Sequence, residues 1–330
     1  MRRFEKPSIS VVDQIELLKQ RGLRIHDEPR ATYFLEAVSF FRLSPYMRPF
    51  QIPGDPEHNF QHGTGFQNLS QLYEFDRRLR LIVIDAIERI EVATRASISN
   101  HMGPSYGAHW YLDISMFKRG YDHSRMIKDV KSAQEKAIAD YIRDVEKIEK
   151  IRHADEKRKT LLKKSRAQEN YARHYALTYD YPELMPSWAM VEELTLGGLS
   201  RLYRGLSKDA DRKAIATKFD ITSPVLDSWL HTLTVIRNIC AHHARLWNRE
   251  LGIKPVLPKK EPIEWPQYLL RTGQHTRIAA VLAILHHLMK RVSPHTKWDQ
   301  KLIELLSEYP DIPRRAMGLP DNWDSDPFWG

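Results

Sequence analysis

The chain has 330 residues, a formal charge of +9 and one cysteine, Cys240. That length can bury a core without disulfide or metal support, and a single thiol excludes an internal disulfide. No Cys/His cluster has zinc-ligand spacing and no HExxH occurs, so neither metal nor cofactor is expected, while the excess of Lys and Arg favours a polyanionic partner.

The start, MRRFEKPSIS, is basic but lacks the apolar run of a signal peptide. The longest nearly apolar run, IAAVLAIL at 278–285, is too short to span a bilayer. A cytoplasmic protein with no membrane partner is the expectation.

Glycine is scarce, prolines fall between periodic segments and no strand-like alternation stands out, so the fold class is all-α. After Ser8 or Ser10 comes an amphipathic helix, VVDQIELLKQRG, stopped by Gly22. ATYFLEAVSFFR is a second, and a Pro/Gly/His loop follows at 52–67. Ser70 is expected to open a long helix carried through 71–98, with apolar residues recurring at three and four. Residues 122–151 form another, whose narrow Ile/Val stripe suggests a two-helix hairpin or projecting arm. The segment KRKTLLKKSR (157–166) holds six basic residues and no acid, and ENYARHYALTY forms the return. We therefore expect one all-α unit over 1–330, with an inserted basic helical hairpin at 120–178. Its core would be 186–308 together with helix 70–102. Two short helices broken by Gly197-Gly198, a helix at 208–218, a helix opened by Ser223-Pro224, a proline-rich loop (255–266) and helices near 274–292 and 296–308 complete the body. The tail DNWDSDPFWG reads as acidic and loose.

The helix after Ser223-Pro224 carries RNICAHHARLWNRE (237–250). An arginine followed five residues later by histidine resembles the signature of HEPN-type ribonucleases. The bare spacing is uninformative, since it recurs at Arg21–His26 astride Gly22. If 225–249 is helical at about 100° per residue, Trp229, Leu233, Ile236, Cys240, Ala244 and Trp247 form an apolar stripe. Asn238, His242, Arg245 and Arg249 face the other way, with Arg237 on the flank. On that wheel His243 falls inside the apolar stripe, as a semi-buried structural residue. Cys240 is a small core hydrophobe and a poor nucleophile candidate. His242 is either part of a solvated face or a functional group. An imidazole can exchange a proton near neutral pH and a guanidinium matches phosphate oxygens, which suits RNA phosphodiester cleavage without a metal. One exposed histidine supplies one proton-transfer group, so a composite site across a homodimer is the expectation.

Five segments carry a wider resemblance: FFRLSPYMRPF (40–50), LYEFDRRLRLIVIDAIERIEVATRASI (72–98), YGAHWYLD (106–113), PSWAMVEELTLGGLSRLYRGL (186–206) and IRNICAHHARLWNREL (236–251). Together they resemble the Abi family of abortive-infection proteins, the AbiD/AbiF-like group within the HEPN superfamily. The resemblance implies a HEPN-like helical bundle with additional N-terminal helices and a role in phage defence. It also implies RNA cleavage by Arg237 and His242, usually in a homodimer, and allows a cognate small non-coding RNA as partner. Asn238, His243 and Arg245 would support the pair. Lys157, Arg158, Lys159, Lys163, Lys164, Arg166 and Arg249 could contact RNA phosphates, against the plain alternative of a solvated face. Tyr171 and Tyr175 could stack bases, though helix packing is the safer assignment. Asp76 and Glu91 could support the site or merely be salt-bridged, and His286-His287 reads as packing. Two other functions stay open: a non-catalytic RNA-binding protein, and a protein-interaction effector that senses a phage component.

Overall fold

The computed structural model describes Arg3 and residues 7–258, 264–272 and 275–329. The basic start, the middle of the proline-rich loop (259–263) and the expected helix start at 274 include residues outside that set. Fifteen α-helices and no β-strand occur among the described residues. They are α1 (Val11–Gln20), α2 (Glu28–Val38), α3 (Phe40–Met47), α4 (Phe66–Tyr106), α5 (His123–Glu149), α6 (Glu156–Gln168), α7 (Tyr171–Thr178), α8 (Ser187–Glu193), α9 (Leu196–Gly205), α10 (Asp209–Thr217), α11 (Ser223–Ala241), α12 (Gln267–Thr272), α13 (Ile278–Val292), α14 (Trp298–Glu308) and α15 (Arg314–Met317). The fold is all-α, and no described helix is long and apolar enough to cross a membrane.

The axis of the protein is α4. It packs against α3, α8, α10, α11, α13 and α14, and buries Leu72, Phe75, Leu79, Val83, Ile87, Ile90 and Ile98 along one face. It begins at Phe66, before the expected Ser70, because Asn68 reaches back to the Gly65 backbone and satisfies an end donor. α13 lies beside it, apolar on nearly every side and buried accordingly.

Helix boundaries follow capping chemistry that apolar periodicity does not show. Ser10 caps α1 in a reciprocal box with Asp13. The expected helix over 31–42 splits at Ser39, whose φ of 69° ends α2 while its hydroxyl caps α3. The break between α8 and α9 falls at Leu194-Thr195 rather than at the glycine pair. Thr195 caps α9 through the Gly198 amide, so both glycines lie in its first turn. At the end of α8 the buried Arg95 of α4 donates to the carbonyls of Val191 and Leu194 and pairs with Glu91, satisfying acceptors the helix leaves open.

α5, α6 and α7 pack on one another, and α5 and α7 meet α8. The returning leg of the expected hairpin is thus two helices, interrupted where Asn170 caps α7. Val130, Ala137 and Ile148 of the α5 stripe are buried, whereas Ile142 stays exposed.

The expected loose tail is instead packed. Trp323, Phe328 and Trp329 are buried, and the rings of Phe328 and Trp329 lie 4.8 and 5.1 Å from that of His286. The acidic residues conceal an aromatic triplet that supplies enough apolar area to anchor the segment. Burial, with help from the nearby Lys290 charge, holds the His286 imidazole down to about 4. The unfolded state then binds the proton first, so stability is full above about pH 6.5 and falls as pH drops towards 4. Between about pH 7.5 and pH 5 this group should cost ~2 kcal/mol. Urea denaturation at both values checks this, and His286→Leu should reduce the acid loss by about that amount. An unchanged acid slope in the variant would refute the assignment.

Candidate functional site

α11 presents Leu226, Trp229, Leu230, Leu233, Ile236 and Cys240 to the core and packs on α4, α9 and α10. It ends at Ala241, eight residues before the end of the expected helix. His242 is the cap and His243 adopts the left-handed conformation, φ 54°. The His243 amide donates to the Cys240 carbonyl at 3.0 Å and the Ala244 amide to that of Ile239 at 2.9 Å. These two bonds define the Schellman termination, in which glycine is the usual occupant of the left-handed position. His243 therefore carries a backbone cost of roughly 1 kcal/mol. His243→Gly is expected to stabilise the fold by ~0.5–1 kcal/mol in urea titration, and a loss of stability would show that the ring is held by packing.

The reversal changes what the two histidines do. Both are exposed, so His243 is not the semi-buried residue expected from a continuous helix. Arg245 is half-buried rather than displayed on an outer face beside His242, and Trp247 is buried by the turn, not by a helical stripe. Arg237 is half-buried and its Nη1 donates to Asn238 Oδ1 at 3.4 Å. Asn238 is exposed, and its carbonyl accepts from the His242 amide at 3.0 Å. Cys240 is buried, which pushes its thiol up to about 12 and removes it as a nucleophile at neutral pH.

The turn after His242 is held from α3 and α4. Asp76, fully buried on α4, accepts from the Trp247 amide at 2.7 Å, the Leu246 amide at 3.2 Å and the Tyr46 hydroxyl at 2.6 Å. It also pairs with Arg80, which donates to Tyr46 Oη at 3.0 Å and to the Ala244 carbonyl at 3.4 Å. Burial raises the Asp76 carboxyl above its ordinary range, opposed by Arg80, the Tyr46 hydroxyl and the two amides. Burial and the Asp76 charge likewise push the Tyr46 phenol up, keeping it a donor. Arg42 of α3 donates to the His243 carbonyl at 2.9 Å, and Arg245 to the Pro45 carbonyl at 2.9 Å. Each residue from His243 to Trp247 thus has at least one bond to α3 or α4.

Between α3 and the segment 243–250 lies a cleft of about 610 Å³, lined by four arginines, His243 and Phe41 among others. Arg249, expected to contact RNA, is here. None of the six basic residues of α6 lines it. Three of those six are committed elsewhere: Lys159 and Lys163 to Glu149, and Arg166 to Glu169. Tyr175 is buried and bonds the Pro182 carbonyl, which leaves only Tyr171 of the two tyrosines exposed. Among the described residues no group of three or more His, Cys, Asp or Glu side chains is placed to hold a metal ion.

Asp76 holds the turn rather than standing as a mere surface ion pair. The signal was present: Asp76 and Arg80, four residues apart, occupy positions among Leu72, Phe75, Leu79 and Val83 where an apolar residue belongs. A paired charge on a buried stripe needs partners from elsewhere in the chain.

No curated protein and no solved structure matches the chain. The family model for Abi-like protein matches residues 33–248, from α2 through the turn after α11, with α5, α6 and α7 inside the matched span. That span takes in Asp76, the peptides it holds and the Arg237/His242 pair, and it shows that the chain belongs to the Abi-like protein family, which points to a role in abortive infection, a form of phage defence.

Proposed function

We propose that this protein is an abortive-infection effector of the HEPN superfamily, of the AbiD/AbiF-like group, and that it is a metal-independent endoribonuclease acting through Arg237 and His242. The observation that supports this best is the exposed imidazole of His242 directly after a helix end, in the residue before His243, which lines a cleft of arginines without carboxylate partners among the described residues. Arg237, five residues back and half-buried, offers a guanidinium fork to a phosphate. In the reaction a base removes the proton of a ribose 2′-OH, and that oxygen bonds to phosphorus. The P–O5′ bond breaks, and an acid returns a proton to the leaving 5′ oxygen. His242 is one of the two proton-transfer groups. The second is either His242 of a partner across a two-fold axis, giving a composite homodimeric site, or His243 of the same chain.

The experiment incubates the purified protein with total and transfer RNA, with and without EDTA, alongside Arg237→Ala and His242→Ala. Cleavage that survives EDTA and disappears in both variants is expected. Equal cleavage by wild type and His242→Ala would refute the assignment. The arginine cleft also suits a non-catalytic protein that holds a small RNA. That reading expects tight binding without cleavage, with losses graded over the arginines and little effect of His242→Ala.

A further inference from the structure

We infer that the cleft between α3 and residues 243–250 is a subsite for single-stranded RNA next to the cut, with Arg42, Arg48, Arg245 and Arg249 facing the phosphates and Phe41 stacking a base. This rests on the proposed RNA chemistry and adds to it a place where the strand is held.

Four guanidinium groups come together here from two segments some two hundred positions apart in the chain. Among the described residues none has a carboxylate within ion-pair distance. The one acid of the lining, Glu250, lies 3.7 Å from Arg277, outside the cleft. Arg245 is fixed by the Pro45 carbonyl, and burial together with the Arg48 charge lowers its affinity for a proton. Cations crowded in this way repel one another, and a phosphate entering among them relieves that repulsion while accepting forked hydrogen bonds.

The other basic regions differ. The cleft around Lys118 and Arg201 contains Asp122 and Asp129, and its Arg204 is paired with Asp227 at 2.8 Å. On α6 half of the basic side chains are already paired. The α3 cleft combines arginines that have no carboxylate partner among the described residues with an aromatic ring that is 87 % exposed, Phe41. A cationic groove with a bare aromatic platform is the pattern that holds unpaired nucleotides, because every base offers a π-face and the phosphates follow the charge. Its volume is that of a small-ligand site, and His243 lines it, one residue from the proposed catalytic imidazole.

The test is fluorescence anisotropy with a labelled single-stranded RNA of about ten nucleotides and its duplex form. The proteins are wild type, His242→Ala, and Arg48→Ala/Arg249→Ala, Phe41→Ala and Lys157→Ala/Arg158→Ala/Lys164→Ala, each also in the His242→Ala background. The double arginine variant should bind about 10- to 100-fold more weakly, and the slope of log affinity against log salt should shrink by roughly 1.4, for two phosphate contacts. Phe41→Ala should lose about 5- to 100-fold with the slope unchanged, and the duplex should bind more weakly than the single strand. Wild-type affinity in both variants would overturn the subsite. So would a wild type that binds no single-stranded RNA, or a loss confined to Lys157→Ala/Arg158→Ala/Lys164→Ala on α6. The ribonuclease reading fails separately, if His242→Ala still cleaves; the binding results stand or fall without it.

Discussion

Asp76→Ala is expected to destabilise the protein by ~3–5 kcal/mol. The substitution leaves the buried Arg80 guanidinium without its counter-charge, together with two amides and a phenol that have lost their acceptor. Asp76→Asn keeps one carbonyl oxygen for the Trp247 amide but turns an NH₂ group towards other donors, and should cost less than alanine. Urea denaturation measures both. Amide exchange should show Leu246 and Trp247 opening first, since their donors are the ones released. A cost below about 1 kcal/mol would mean that water or a rearranged neighbour replaces the carboxylate. RNA cleavage should fall with the loosened turn even in conditions where Asp76→Asn stays folded, although Asp76 itself is fully buried and touches no substrate.

His242→Ala has the largest expected effect on activity, a fall of about 10²- to 10⁴-fold in RNA cleavage. The side chain is exposed, so the melting curve should stay where it is and RNA binding should persist. Arg237→Ala should also abolish most cleavage, and Arg237→Lys should recover little, because an ammonium lacks the planar fork. His243→Ala separates the two forms of the mechanism. Retained activity supports the composite dimer, while a loss as deep as that of His242→Ala assigns the second proton transfer to the same chain. Mixing wild type with excess His242→Ala protein gives an independent readout: a site that needs His242 of both protomers loses cleavage as mixed dimers form, whereas cleavage in proportion to the wild-type protein assigns the site to one chain.

The all-α class was legible because apolar spacing at three and four is strong in the helices now numbered α1, α4, α5 and α11. What the spacing could not show is where backbone bonds end. Ser39, Thr195 and Asn170 break segments whose apolar pattern continues, since a capping hydroxyl or amide competes locally with the helix. The same limit misplaced His243. A wheel drawn to 249 assumes a helix that stops at Ala241, and no glycine marks the reversal because a histidine occupies the left-handed position. The aromatic tail was misread from its acidic residues alone. Asp76 carried a readable signal in its pairing with Arg80, but the amides that donate to it lie on residues 246 and 247, and no local pattern specifies a contact across that separation.

The separation also sets an order of events in synthesis. The carboxylate of Asp76 and the Trp247 amide that it binds are 171 residues apart. A ribosome adding about 5–20 residues per second needs roughly ten to thirty seconds to make the intervening chain. During that interval α4 can exist, but the peptides that fix the His242 turn do not. Under the proposed ribonuclease reading, an effector built this way has no assembled Arg/His centre on its nascent chain, so translation of its own message passes residue 247 before the chain can act on RNA.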